Sequence, residues 1–203
     1  MRPFRPEPYN PRPAALQRIS LMHRKWFAFL PNMISLGRLI LVPVSVDMIA
    51  SRRWPEALAI FLIAGISDGL DGWIARRFDL RSELGAYLDA IADKALLVCD
   101  YVTLAIVGVL PLWLALLVVS RDLMIVGAVI LCWVLERPME IKPHWLSKAN
   151  TFGQLGFVAA VLAALAFSVP LGGWAVAGQW LVAALTLASL AAYFRRWVTH
   201  MSV

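Results

Sequence analysis

The chain of 203 residues has only three histidines and two cysteines, the side chains that most often bind zinc or build disulfides. Cys99 and Cys132 form no CxxC pair and fall inside apolar runs, which excludes a disulfide framework and a cysteine-rich zinc site and leaves both as core filler. His23, His144 and His200 are scattered, and none is assigned to chemistry. Charge is scarce too. Charged residues make up 16% and apolar residues 61%, against about 25% charged in soluble domains. This excludes an ordinary soluble domain and makes the chain an integral membrane protein.

The apolar residues fall into segments near the roughly 20 residues that a bilayer requires. They predict six transmembrane helices, over 32–51, 54–76, 84–110, 111–135, 147–169 and 173–194, and hence an all-α membrane bundle. The domain boundaries follow: an N-terminal arm over 1–30, a six-helix catalytic domain over 31–196 and a tail over 197–203. The basic residues set the orientation. Arg2, Arg5, Arg12, Arg18, Arg24 and Lys25 precede helix 1; Arg76, Arg77 and Arg81 follow helix 2; Arg137, Lys142 and Lys148 follow helix 4; Arg195 and Arg196 close helix 6. Only Arg52 and Arg53 fall on the other side, so the positive-inside rule puts both termini in the cytoplasm, which in a bacterial cell means the inner or plasma membrane. The net charge of +6 then faces anionic lipid headgroups. The basic residues flank spans and form no nucleic-acid-binding module, so nucleic acid is not expected as a partner. Pro3 to Pro13 reads as unstructured and Ala14 to Leu30 as an interfacial helix. No cleavable leader is expected, because the first long apolar run begins after residue 30.

Four acids contradict this apolar setting: Asp68, Asp71, Asp89 and Asp93. Each costs roughly 2.5 to 3.5 kcal/mol at a bilayer midplane, so the four would cost on the order of 10 to 14 kcal/mol uncompensated. Residues three or four apart share a helix face, so Asp68 pairs with Asp71 near the end of helix 2 and Asp89 with Asp93 near the start of helix 3. The short connection predicts antiparallel neighbours that bring the pairs together. Oxygen-only ligands suit hard cations, Mg²⁺ or Mn²⁺, and two such ions can clamp a phosphoryl group. Gly69, Gly72 and Gly85 stand beside these acids and leave room for a nucleotide, and Arg76 is placed to meet its phosphates. Helix packing is the alternative reading of the glycines.

Written as D-x-x-D-G-x-x-A-R-x(8)-G-x(3)-D-x(3)-D, the stretch from Asp68 to Asp93 resembles the signature of the CDP-alcohol phosphatidyltransferases at every fixed position. The resemblance extends from about residue 30 to 194. It implies six transmembrane helices, a homodimer and transfer of a phosphatidyl group from CDP-diacylglycerol to an alcohol, with release of CMP. It also implies that Asp68, Asp71, Asp89 and Asp93 bind two divalent ions, that Asp93 is the general base, and that Gly69, Gly72, Ala75, Arg76 and Gly85 line the CDP site.

The acceptor rests on fainter signs. Pro31-Asn32 with Ser35, Arg38 and Pro43 resembles the start of members using either of two acceptors, so Asn32 and Arg38 are expected in the substrate pocket. Ser120-Arg121-Asp122, together with 146–151 and Gln154, is more similar to members that use phosphatidylglycerol and make cardiolipin than to those that use glycerol 3-phosphate. The latter are expected to carry a second lysine where this chain has Asn150, and one cation fewer suits a phosphodiester with one negative charge. Arg121 and Lys148 are the expected acceptor contacts, against helix pairing and topology as their alternatives. Lys94 reads as tuning the acidic cluster or snorkelling. A transporter would need an acidic relay across the membrane, and an inactive scaffold would be expected to show a broken motif; neither is seen.

Overall fold

The computed structural model describes residues 33–77, 83–134 and 145–201, with side chains except those of 71–77, 83–90, 129–133, 196 and 199–201. The described residues form six helices and no strand: α1 (Met33–Ala50), α2 (Trp54–Arg77), α3 (Glu83–Ile106), α4 (Leu112–Val134), α5 (Trp145–Ala166) and α6 (Gly173–Met201). Of these, α1, α5 and the stretch Gly173–Arg195 of α6 are long and apolar enough to cross a membrane. Asn32 and the N-terminal arm lie outside the described residues.

Pro55 at the second residue of α2 has the preset φ that suits a helix start. Pro43 sits inside α1, as membrane helices tolerate when neighbouring groups meet the freed carbonyl. Three turns at one end of the bundle share a device. After α1, Arg52 adopts φ 57° and the amide of Arg53 donates to Met48 O at 2.8 Å. After α3, Gly108 adopts φ 81° and Val109 N donates to Leu104 O at 2.9 Å. After α5, Ser168 adopts φ 56° and Val169 N donates to Ala164 O at 2.7 Å. Each is a left-handed residue closing a helix through a bond five residues back, which satisfies carbonyls the helix end would leave open. This is why α3 and α5 stop at Ile106 and Ala166, short of the 110 and 169 expected from apolar run length alone. In contrast, α6 continues past 194 to Met201, through most of the residues read as a tail. No proline or glycine interrupts 195–201.

The turns gather at one end because the helices alternate in direction. Arg52 Nη2 donates to Val107 O at 3.3 Å, joining the α1–α2 and α3–α4 turns. Trp113 at the start of α4 lies 5.4 Å, centroid to centroid, from Trp180 of α6. The opposite end therefore holds the end of α2 and the starts of α1, α3 and α5.

Helix α5 is the axis of the packing, touching α2, α3 and α6. Its buried stripe Asn150, Gln154, Phe157, Val158, Val161 and Leu162 follows helical periodicity. Around it sit Phe61 and Ala64 of α2, Leu97, Tyr101 and Leu104 of α3, Leu114 and Val118 of α4, and Val182 and Ala183 of α6, with Val42 and Ile49 of α1. Cys99 packs against this core, as expected; the Cys132 side chain lies outside the described residues. Among the described residues α2 and α3 are joined through α5 and, by polar contacts, through α1.

Close approach of α5 and α6 depends on glycine. A Cβ at Gly178 would lie 2.5 Å from the Phe157 ring, whereas one at Gly127 of α4 would meet nothing within 4 Å. Gly178→Ala is expected to destabilise the protein by about 1 to 3 kcal/mol through overpacking, and Gly127→Ala to leave it unchanged or slightly more stable. Thermal unfolding of the two variants in one detergent checks this difference.

Candidate active site

The motif straddles the open end of α2 and α3. Asp68 lies on α2 with its side chain 41% exposed, and Arg38 Nη1 of α1 donates to its Oδ1 at 2.5 Å. The Arg38 side chain is itself only 1% exposed. A guanidinium so withdrawn from water is stable only when paired, and Asp68 provides that pairing across the α1–α2 contact.

A second crosspiece fixes α1 against α3. Ser45 Oγ donates to Asp100 Oδ1 at 2.8 Å, and both residues are buried. Ser45 follows Arg38 by seven residues and Asp100 follows Asp93 by seven, two helical turns in each case. The two helices run in the same direction, so register places Arg38 level with Asp93. Asp68, Arg38 and Asp93 thus stand at one depth, from three different helices. Asp93 is half-buried. Asp71, Gly72, Ala75 and Arg76 lie on the last turns of α2, and Gly85 and Asp89 on the first turns of α3, with side chains outside the description.

The carboxylate set fits hard divalent cations. Asp68 and Asp93, the motif acids whose side chains are described, are both partly exposed at the same end of the bundle and offer oxygen only. Among the described residues no three Asp, Glu, His or Cys side chains converge, so a complete ligand set requires Asp71 and Asp89. Gly69 has open space around it: a Cβ there would meet nothing within 4 Å. Helix packing therefore does not demand this glycine, in contrast to Gly178.

A second polar cluster lies on the α4, α5 and α6 side. Arg121 of α4 is buried, with a side chain 4% exposed. Its Nη1 donates to Asp122 Oδ1 at 2.5 Å, and its Nη2 donates to Ser147 Oγ of α5 at 2.7 Å and to Ser189 Oγ of α6 at 3.0 Å. The guanidinium also sits 5.9 Å from the Tyr193 ring centroid, within cation–π reach. Lys94 Nζ of α3 completes the group at 3.1 Å from Asp122 Oδ1. The structure thus places Arg121, expected at the acceptor, among protein partners on three helices. Lys148, beside Ser147, is exposed in the first turn of α5.

Beneath it, Thr186 Oγ1 of α6 donates to Asn150 Oδ1 at 2.9 Å and accepts from Gln154 Nε2 at 3.2 Å. Tyr101 OH of α3 donates to the Gln154 carbonyl at 3.2 Å. Asn150 is fully buried. Any effect of this residue on an acceptor would therefore have to be exerted from within the core. Asp100 and the Thr186 and Ser189 pair are polar residues that the sequence reading did not single out. The signal was there for Asp100, an acid in an apolar run on the face of α3 that carries Asp93.

A family model of the CDP-alcohol phosphatidyltransferases matches residues 28–193. The chain is 37% identical over 168 residues to the cardiolipin synthase (CMP-forming) of Homo sapiens, covering 73% of this chain and 54% of that protein. It is 34% identical over 189 residues to the chloroplastic CDP-diacylglycerol–glycerol-3-phosphate 3-phosphatidyltransferase 1 of Oryza sativa subsp. japonica, covering 84% and 57%. A putative cardiolipin synthase of Mycobacterium tuberculosis is 35% identical over 137 residues, covering 65% and 64%. The chain spans about half the length of the first of these curated relatives.

The open space at Gly69 separates packing from ligand approach. Gly69→Ala is expected to keep or raise thermal stability, since alanine favours a helix by about 1 kcal/mol over glycine. If a ligand approaches the backbone there, the same substitution weakens its binding about tenfold or more. Thermal unfolding and CDP-diacylglycerol binding measured on one preparation test the two halves.

Proposed function

We propose that this chain, which belongs to the CDP-alcohol phosphatidyltransferase family, transfers a phosphatidyl group from CDP-diacylglycerol to phosphatidylglycerol, giving cardiolipin and CMP. The observation that carries this reading is the complete motif from Asp68 to Asp93, with Asp68, Arg38 and Asp93 level at one end of the bundle. The human and mycobacterial relatives, named as cardiolipin synthases, favour phosphatidylglycerol as acceptor. A second reading, with glycerol 3-phosphate as acceptor, is favoured by the rice relative, which matches more of this chain.

In this reading the acceptor hydroxyl attacks the phosphorus that bears the diacylglycerol, and the bond from that phosphorus to the CMP oxygen breaks. Asp93 takes the hydroxyl proton as the new O–P bond forms. Asp68, Asp71, Asp89 and Asp93 would hold two divalent ions, Mg²⁺ or Mn²⁺, which would neutralise the pyrophosphate and make CMP a better leaving group. Gly69, Gly72, Ala75 and Gly85 leave room for the cytidine diphosphate, and Arg76 meets its phosphates. Arg38 orients Asp68 through their ion pair. Asn32, outside the described residues, would contribute to the substrate pocket. Catalysis of this kind relies chiefly on positioning and electrostatics.

The same reading has all six helices spanning the membrane as a catalytic domain over 31–196, with the open end and both termini in the cytoplasm and a homodimer as the assembly. Lipid substrates reach the site sideways from the bilayer. Lys148, exposed beside Ser147, meets the acceptor headgroup.

Purified protein with CDP-diacylglycerol, phosphatidylglycerol and Mg²⁺ or Mn²⁺ is expected to release CMP and form cardiolipin. Asp93→Asn is expected to lower kcat about 10²- to 10⁴-fold, the usual share of a general base. Equal CMP release by wild type and Asp93→Asn rejects Asp93 as base, and product with glycerol 3-phosphate alone moves the acceptor to the second reading.

A further inference from the structure

We infer that Lys94 is the contact for the phosphodiester of the acceptor lipid, held in place by Asp122 and Arg121 as positioning residues. The inference rests on the phosphatidylglycerol reading above and deepens it.

Charge balance is the first ground. Lys94 and Arg121 bring two cations to a single carboxylate, Asp122, so the cluster keeps one positive charge. Arg121 is buried and bonded to Asp122, Ser147 and Ser189, so it presents no charge outward. Lys94 is 42% exposed in its side chain. The surplus charge is therefore offered through the Lys94 ammonium. An ammonium has three donors, and Asp122 takes one, which leaves donors for a ligand oxygen. One surplus charge suits a phosphodiester, which carries one negative charge.

Position is the second ground. Lys94 follows Asp93 directly, so their Cα atoms are about 3.8 Å apart. Successive side chains on a helix diverge, and Lys94 is drawn toward α4, where Asp122 holds it. Asp68 and Arg38 lie on the other side, on α2 and α1. In phosphatidylglycerol a glycerol unit separates the reacting hydroxyl from the phosphodiester. A hydroxyl seated at Asp93 would direct that phosphodiester to a neighbouring cation, and Lys94 is such a cation, on the side away from the Arg38 and Asp68 pair.

Rigidity is the third. A lysine on a flexible stem is a poor anchor unless something fixes its head. Asp122 does so, and Asp122 is itself fixed by a guanidinium tied to α5 and α6. Arg121 thus acts on the acceptor through Asp122 and Lys94.

The experiment measures cardiolipin formation in mixed micelles, varying each lipid separately. Lys94→Gln is expected to raise KM for phosphatidylglycerol about tenfold or more, the usual effect of losing a charge-assisted hydrogen bond, with KM for CDP-diacylglycerol unchanged. Lys94→Arg restores much of the loss. Asp122→Asn raises the same KM, and the double variant Lys94→Gln/Asp122→Asn is no worse than Lys94→Gln alone, because Asp122 works through Lys94. A merely structural role would lower thermal stability and disturb both KM values together. If wild type is active and Lys94→Gln keeps its acceptor KM, or loses donor and acceptor affinity alike, the inference is overturned while the acceptor reading stands. If wild type makes no cardiolipin but accepts glycerol 3-phosphate, the acceptor reading itself fails and the inference falls with it.

Discussion

A charged side chain packed among apolar helices is stable only if its charge is matched on the spot, and this constraint organises the molecule. Arg38 and Arg121 are both almost wholly withdrawn from the surface. Removing one partner of such a pair costs about 3 to 5 kcal/mol, because a charge is left buried without compensation. Arg38 is matched by Asp68 and so binds α1 to α2. Arg121 is matched by Asp122 and completed by Ser147 and Ser189, so it binds α4 to α5 and α6. Apolar contact alone discriminates weakly between helix registers where lipid is as apolar as the side chains. Paired charges and hydrogen bonds do discriminate, since a shift of one residue would leave them unmatched.

Helix α1 shows how register becomes site geometry. It carries Arg38 and Ser45 two turns apart and meets α2 through the first and α3 through the second. Neither contact alone would define the depth of Asp93 relative to Asp68; together they do. The sequence reading also has α2 and α3 as antiparallel neighbours joined by a short connection, whose residues 78–82 lie outside the described residues. Among the described residues the link runs through α1 and α5, which have no part in the motif.

Much of this was legible in the sequence because composition and spacing are strong signals. Apolar run length located five helices within about four residues of their ends and the start of α6, which runs on to Met201, and the motif spans the last turns of α2 and the first turns of α3. Helix ends were less legible at α3 and α5, because left-handed closure at Gly108 and Ser168 depends on backbone bonds that hydropathy does not encode. The pairing of Arg121 was half legible: a buried arginine in α4 had to face the bundle, but Ser147 and Ser189 come from distant segments and carry no sequence mark of their own. Glycine was ambiguous by type alone. Gly178 lies against Phe157, whereas among the described residues a Cβ at Gly69 would meet nothing within 4 Å, a difference that only three dimensions reveal.

The two polar clusters also differ in charge, and that difference bears on the chemistry. Arg38 and Asp68 bring one charge of each sign, so their pair has no surplus. The cluster of Lys94, Asp122 and Arg121 does not cancel. Were its surplus charge placed beside Asp68, it would compete with any cation drawn to the motif acids. Held against α4, it lies toward Ser147 and the first turn of α5, where Lys148 is exposed. In the proposed reading the helices would separate a face that gathers negative charge for cations from one that keeps positive charge for an anion. The backbone step from Asp93 to Lys94 on α3 is the boundary between them. The proposed transfer between two anionic lipids would use both faces at once, because each lipid would bring negative charge to the same centre.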